Sequence, residues 1–577
     1  MENSVERSQV SEVSNSTEGA VSKVSDSSGS VSGDSTKRDF EISSSQASVS
    51  SSSEVVENKA QFEQKGFAHY APLAFVLLLS VFVFFTALSN AHNVLWWDET
   101  EYALLAKNIV EDGRYSYWDD FYYYWFEGDS SFRPPLLPAL LANSYFIFGQ
   151  GELSMRIVVP FLSALSVLAT FIVVRRLFGS FVGAISAALL SFVSLFWFFA
   201  GRVLTETPLV FFSAMIFYVF FRIFEERKWR WLPVLAVLVA MGFLMKYTLL
   251  AILPSFAVIF LLYYRGTFLE ALRSSQRNKL VLYLVAAVLT FAVFVFPMLW
   301  FSTKTVGGPL TTMQVYLESA VPIGEEQFLF YFINASNIFS GMFVLLLIIA
   351  GMVYAFYRND KTAVQLTVII FTLLLMLTFV IEHREDRYAL LVFPFAFGLA
   401  ALVAFRGIAA VLRMRSLKDV SLFRLGFVLL LVLPALFFGT VGNFEQAQAQ
   451  VDYKIDSYLG VAEAGRFIKT NSLPGARVVS DSFFQTGYYS DRPVEWLPED
   501  QGEFVELLEK SNARFVEFSA YQHGVALLAQ ASDALSKNQS PPYTSGAYVL
   551  THPAKFELVF EHALEGHPPT YVFEIKR

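Results

Sequence analysis

The chain has 577 residues, 54% of them hydrophobic and only 16% charged, where a soluble domain carries about a quarter, so its composition argues against a soluble globular protein. Acidic residues outnumber basic ones by eleven to six over 1–69 and by eighteen to eleven over 445–577, while between them twenty-six basic residues face twenty-two acidic ones. There is no cysteine, which excludes disulfide scaffolds, thiolate zinc sites, iron–sulfur clusters and cysteine nucleophiles.

From Met1 to about Lys65 the chain is rich in Ser, Val, Glu and Gly and almost lacks aromatic and large aliphatic residues. Such a segment cannot bury enough apolar area to offset chain entropy. Residues 1–65 are expected to form a disordered, Ser-rich cytoplasmic tail. No short apolar core follows a basic start, so no cleavable signal peptide is expected and the first membrane helix is retained.

Apolar stretches of bilayer length follow near 70–90, 153–174, 180–199, 207–224, 230–246, 248–264, 280–301, 337–357, 363–382, 387–407 and 423–441. The fifth and sixth are short and abut. With the tail inside, the inner connections hold seventeen basic residues, among them Arg175, Arg176, Arg222 and Arg227, against five acidic ones. That asymmetry satisfies the positive-inside rule, and the odd helix count puts the C-terminus outside.

The first outer loop, 91–152, is long, and loops of this length tend to be functional. It opens Trp96-Trp97-Asp98-Glu99-Thr100-Glu101-Tyr102, and carboxylates at a membrane boundary are costly unless solvated or paired. Asp98 fits the N-cap of a helix over 102–110 that ends at Gly113, with Glu101 completing a capping box. Tyr102, Leu105, Ala106 and Ile109 share one side of that helix, as in an amphipathic helix on a bilayer surface. Capping and an active-site role are both open, and one does not exclude the other. Phe132-Arg133-Pro134-Pro135-Leu136 then opens a second apolar helix running to Phe148. Arg133, at its N-terminus, reads as a phosphate ligand or as a snorkelling interfacial arginine. The run Tyr115, Tyr117, Trp118, Tyr122, Tyr123, Tyr124 and Trp125 reads as an interfacial belt or a sugar-stacking surface.

Beyond residue 445, short apolar runs at Arg477-Val478-Val479, Phe515-Val516-Glu517-Phe518 and Tyr571-Val572-Phe573-Glu574-Ile575 alternate with a helical pattern at 503–511. They predict a small extracytoplasmic α/β domain over 445–577, without a Gly-rich phosphate loop. The histidines, His69, His92, His383, His523, His552, His562 and His567, show no zinc spacing.

Taken in order, an Asp-Glu pair behind the first membrane helix, an amphipathic helix, a basic residue before Pro-Pro-Leu, and Gly149 with Glu152 and Arg156 leading into the next span resemble the GT-C glycosyltransferases. More narrowly the pattern is similar to the branch of protein O-mannosyltransferases and the aminoarabinose–lipid A transferase. Gly201-Arg202-Val203-Leu204-Thr205-Glu206-Thr207-Pro208-Leu209, Lys246 and Asp386-Arg387-Tyr388, each at an outer helix end, match as well. The resemblance covers about 70–441. It implies a polytopic α-helical membrane domain of GT-C architecture with about eleven spans and a catalytic first outer loop at 91–152. It further implies transfer of a sugar, with inversion, from a polyprenyl-phosphate donor to a hydroxyl of a protein, glycan or lipid on the outer face of a membrane, most simply a prokaryotic plasma membrane.

By the same resemblance Asp98 would be the general base, with Glu99 beside it. Arg133, Lys246, Arg387 and Tyr388 would contact the donor phosphate, although Lys246 also reads as a snorkelling lysine. Glu206, Arg202 and Glu101 would support the acceptor or a divalent metal, Mg or Mn. No nucleic-acid partner is implied. Two departures stand out: aminoarabinose transferases usually carry a basic residue where this chain has Glu101, and no segment is long enough for the β-trefoil insertion of eukaryotic O-mannosyltransferases. Loop 303–336 is too short for a domain, though long enough for a lid. Trp96-Trp97-Asp98 superficially resembles an oligosaccharyltransferase motif, which belongs instead in a C-terminal soluble domain. The competing reading is a transporter or flippase of lipid-linked saccharides, which calls for inverted repeats and polar residues near the bilayer midplane. A non-catalytic scaffold is a third.

Overall fold

The computed structural model describes residues 53–91, 94–117, 133–305, 307–311, 313–314, 329–380, 384–412, 426–519, 523–564 and 569–576, with the backbone alone over 53–69 and at 97, 305 and 380. Two compact units divide the chain, Met1–Phe62 and Glu63–Arg577. The expected disordered tail lies outside the described residues as far as position 52, but the backbone is helical over Ser53–Ser89. Helix therefore begins inside the segment expected to lack structure, because Glu54, Lys59, Ala60, Gln61 and Glu63 are strong helix formers.

In the second unit, α1 (Tyr70–Ser89) is followed by two shorter helices, α2 (Trp97–Glu111) and α3 (Leu136–Phe148). The chain then runs through α4 (Glu152–Phe178), α5 (Ser180–Phe192), α6 (Ser194–Ala200), α7 (Glu206–Glu225), α8 (Trp229–Met245), α9 (Tyr247–Arg273), α10 (Arg277–Lys304), α11 (Met342–Tyr357), α12 (Lys361–Phe379), α13 (Asp386–Leu412) and α14 (Val428–Tyr453). Among the described residues eight helices are long and apolar enough to cross a bilayer, or nine if α5 and α6, bent by 67°, are one span. The shorter apolar helices α8 and α11 occupy the two remaining expected stretches. The chain is thus a multi-pass membrane bundle. The abutting fifth and sixth stretches part at Lys246, which is extended between α8 and α9, and the third stretch bends where Val193 is extended between α5 and α6.

The bundle is arranged around α7 and α13, whose apolar side chains are almost all enclosed. Phe220 stacks on Phe256 with centroids 4.7 Å apart, and Phe217 meets Phe256 and Phe395 edge-on, geometries that add to plain area burial. By contrast α10 leaves Leu282, Val285, Val288, Leu289 and Val293 exposed, as a lipid-facing helix should. Close helix crossings use glycine: a Cβ on Gly351 of α11 would lie 2.8 Å from the Leu399 backbone of α13.

Outside the bundle, α14 runs to Tyr453, past its expected end at 441, because Gln446, Gln448 and Gln450 extend the helix beyond the apolar stretch. The sheet-containing C-terminal region follows with α15 (Leu459–Asn471). It continues β1 (Val478–Ser480), α16 (Phe483–Ser490), β2 (Val494–Trp496), α17 (Gln501–Ser511), β3 (Phe515–Phe518), α18 (Gly524–Ser536), α19 (Ser545–Thr551), β4 (Phe556–His562) and β5 (Thr570–Ile575). The sheet order is β2-β1-β3-β5-β4, parallel from β2 to β3 and antiparallel beyond. All three predicted strands are present. The helical pattern at 503–511 is α17, capped by Asp500, whose carboxylate accepts from Gly502 N and Glu503 N. Phe483 and Phe484 of α16 pack in one cluster with Leu104, Leu105 and Tyr117, seating the domain on α2 and the loop after it.

Candidate active site

The start of α2 corrects the capping expectation. Trp96 is the N-cap of α2, so Trp97, Asp98 and Glu99 form the first turn. Glu99, not Glu101, reaches back to the cap: its Oε2 accepts from Trp96 N at 2.9 Å and its Oε1 from Val203 N at 2.6 Å. With the helix beginning ahead of Tyr102, Asp98 is not a cap. The helix does end as expected, at Gly113 with φ +70°, where Asp112 N and Arg114 N both bond Asn108 O.

Asp98 instead sits between two arginines. Nη2 of Arg133 donates to Oδ1 at 2.9 Å and Nη1 of Arg387 donates to Oδ2 at 3.0 Å. Pro134 and Pro135 lead into α3 as expected and set Arg133 just ahead of it. The guanidinium is braced on all sides: Nε donates to Glu101 Oε2 at 2.6 Å, the plane lies over Tyr102 at 5.4 Å, and Tyr115 Oη donates to the Arg133 carbonyl at 2.6 Å. Tyr117 donates to the other oxygen of Glu101. Glu101, the departure from the aminoarabinose pattern, is thus the fully buried carboxylate that orients Arg133. Tyr115 and Tyr117 serve the same brace rather than an interfacial belt or a stacking surface. Trp118, Tyr122, Tyr123, Tyr124 and Trp125 lie outside the described residues, as does Phe132.

A second cluster adjoins the first. Glu206, at the first position of α7, accepts from Lys246 Nζ at 2.6 Å, and Arg387 Nε lies 3.6 Å from the same oxygen. Lys246 stands over the Tyr388 ring at 4.5 Å, and Arg387 also pairs with Glu385. Lys246 is buried at the break between α8 and α9, which removes the snorkelling reading. Burial alone would raise the Asp98 carboxyl, but Arg133, Arg387 and Lys246 more than reverse this and hold it well below the usual carboxylate range. Arg133 is held well above its ordinary value: burial opposes its charge, and Glu101 and Asp98 outweigh that.

Asp98, Arg133, Arg387, Glu206, Lys246, Tyr388 and Glu101 therefore form one connected network. Glu99 and Arg202 stand apart from it. Arg202 stacks on the Trp96 ring at 3.7 Å, with Nη1 3.6 Å from Glu99, so the two hold the backbone around Asp98. Arg156 and Glu152 pair with each other at the start of α4. The network opens onto a cavity of about 760 Å³ lined by Trp96, Asp98, Phe198, Leu204, Arg387 and Tyr458, among others. Sequence reasoning missed Glu385, although it adjoins Asp386-Arg387, and Gln450 and Tyr458, which line the same cavity. Tyr458 carried no signal beyond its ring, since its φ of +66° is unusual for a residue other than glycine.

Asp98 and Glu206 bond cationic side chains, Glu99 accepts from backbone N–H groups, and among the described residues no set of three His, Asp or Glu side chains converges. His523 and His562 each pair with one glutamate in the C-terminal domain. His92, His383, His567 and the His69 side chain lie outside the described residues.

Comparison with known proteins agrees with this architecture. Residues 132–301 match the sequence model of the dolichyl-phosphate-mannose-protein mannosyltransferase family. No curated protein sequence matches. Among solved structures, ArnT from Cupriavidus metallidurans bound to undecaprenyl phosphate superposes with a TM-score of 0.58 at 13% identity, covering 87% of this chain and 98% of that one. The oligosaccharyltransferase AglB from Archaeoglobus fulgidus, in complex with an inhibitory peptide and a dolichol-phosphate, gives 0.57 at 14%, covering 88% and 74%. The A. fulgidus oligosaccharyltransferase in complex with zinc and sulfate gives 0.59 at 15%, covering 86% and 72%. From its bundle and these superpositions, the chain is a multi-pass membrane protein with the fold of the GT-C glycosyltransferases.

Proposed function

We propose that the chain transfers a sugar from a polyprenyl-phosphate donor to an acceptor hydroxyl on the outer face of the membrane, with Asp98 as general base. The observation that carries this is the seating of one carboxylate between Arg133 and Arg387 on the wall of a cavity with an apolar side, Leu195, Phe198, Phe199 and Leu204. An apolar wall suits a polyprenyl chain, and paired guanidiniums suit its phosphate. The polyprenyl phosphates bound by ArnT and AglB support the same donor class.

The chemistry follows from charge. A sugar or protein hydroxyl is a weak nucleophile; a carboxylate within hydrogen-bond reach takes its proton as the oxygen attacks the anomeric carbon. The bond from that carbon to the phosphate oxygen breaks, its electron pair leaves with the phosphate, and the configuration inverts. Arg133 and Arg387, with Lys246 behind, stabilise the phosphate as its charge grows. Those arginines are the groups that depress Asp98, so a phosphate drawing on them returns the carboxylate towards ordinary basicity at the moment a base is needed. The acceptor can be a protein, a glycan or a lipid.

Mass spectrometry of surface proteins, glycans and lipids from cells carrying wild type or Asp98→Asn at equal membrane levels tests this. One glycosylated species should disappear, with transfer in vitro falling by about 10²–10⁴. Persistence of every glycoform would remove Asp98 from the chemistry and favour transport of a lipid-linked saccharide.

A further inference from the structure

The C-terminal domain grips the chain just ahead of Asp98. Gln485 and Tyr489 stand one turn apart on α16 and take the two polar groups of one residue. Gln485 Nε2 donates to Leu95 O at 2.7 Å, and Leu95 N donates to Tyr489 Oη at 2.8 Å. Leu95 is fully buried, so these bonds satisfy backbone groups that have no access to water. The next N–H, that of Trp96, goes to Glu99, which also binds Val203 N. The backbone before Asp98 is therefore fixed from two sides, by α16 and by the turn ahead of α7.

α16 is itself held firmly. Thr486 donates to Glu517 of β3, and Phe483 and Phe484 are buried with Leu104, Leu105 and Tyr117. Gly465 of α15 permits the close approach: a Cβ there would stand 2.7 Å from Cβ of Tyr489.

We infer that Gln485 and Tyr489 are positioning residues, through which the C-terminal domain sets the register of Asp98 by holding both polar groups of Leu95. This rests on the reading of Asp98 as the base. Neither side chain is asked to meet substrate. Misplacing a reacting group by about 1 Å can cost 10²-fold in rate, so losing one of two holds should reduce turnover rather than abolish it.

The test uses the full chain in lipid nanodiscs with a polyprenyl-phosphate sugar and the acceptor identified by mass spectrometry. Tyr489→Phe and Gln485→Leu should each lower kcat about tenfold while donor KM stays within about twofold, because the arginines are untouched. Ser519→Ala removes a 2.8 Å bond to Asp481 in the same domain. It should lower the melting midpoint and keep kcat. Hydrogen exchange over 94–105 supplies a readout independent of activity, and the Leu95 amide should exchange faster in Tyr489→Phe. Unchanged kcat in both variants, or a Ser519→Ala variant that loses kcat in step with its melting midpoint, overturns the positioning role. Unchanged exchange at Leu95 overturns the grip itself. A wild type that moves no sugar, with exchange responding as expected, overturns the base assignment and leaves the grip standing.

Discussion

Asp98 is the proposed base, and its surroundings make a prediction about pH. A carboxyl held below its usual range stays ionised as pH falls, so the acid limb of kcat/KM, which reports the free enzyme, should lie below the ordinary carboxylate value of about 4. Arg387→Gln removes one of the depressing charges and should move that limb upward. A limb that stays in place in a pH profile of this variant would show that another group sets it. Glu101 acts one step back. Glu101→Gln breaks the charge-assisted bond to Arg133, worth roughly 1.5–3 kcal/mol, and should cut kcat/KM for the donor by about tenfold or more. At this scale the sequence carried most of the network, because Asp98, Arg133, Glu206, Lys246 and Arg387 each fall at a helix end. It did not separate Glu99 from Asp98. Which of two adjacent carboxylates faces the cavity depends on where the helix starts, and the Glu99 bonds to Trp96 N and Val203 N decide that.

Among the elements, the spans were legible because each is a run of apolar residues long enough to cross a bilayer. Their ends were less so. α14 overran its apolar stretch on good helix formers, and the bend between α5 and α6 has no proline to announce it. The three strands of the C-terminal domain were visible as short apolar runs, whereas the hold of α16 on Leu95 was not, since it joins residues far apart in sequence and uses an amide and a phenol without charge. β3 carries a testable liability. Glu517 is fully buried, and burial pushes its carboxyl from 4.5 up to about 8 despite the bond from Thr486, with Asp481 adding to the rise. The native state thus keeps a proton that the unfolded chain releases above 4.5. Stability is full below that value and falls as pH rises towards 8, by about 1.4 kcal/mol per pH unit. Glu517→Gln should remove this share of the slope and melt higher than wild type at pH 8. Thermal melts from pH 5 to 9 check it, and equal slopes would locate the proton elsewhere. In the bundle, Gly351→Val sets a branched side chain against the Leu399 backbone and should lower the melting midpoint by several degrees through overpacking, about 1–3 kcal/mol.

For the whole molecule the charge network and the basic cluster sit at opposite ends of the same helices. α7 begins at Glu206 and ends at Arg222, Glu225 and Glu226, where Arg176 pairs with both glutamates. Twenty residues at about 1.5 Å each span a hydrocarbon core, so the two clusters belong to opposite faces. The positive-inside rule would put Arg222 and Arg227 inside and the proposed chemistry outside. The chain has no cysteine of its own, so introduced thiols report sidedness without background. In intact cells a membrane-impermeant thiol reagent should label Glu509→Cys on α17 and spare Arg227→Cys, and the reverse pattern would invert the topology.

The enclosure of α7 and α13 has a consequence for how the protein meets its bilayer. These helices present Glu206 and Arg387, and both are wrapped by other helices, whereas α10 faces outward. A thicker or thinner membrane is accommodated by tilt and local adjustment of helices in contact with lipid, so the strain falls on α10 and its neighbours and reaches the inner pair only weakly. Acyl-chain length in reconstituted vesicles should then shift the melting midpoint while turnover changes little. A protein built this way can keep one reaction geometry across membranes of different thickness.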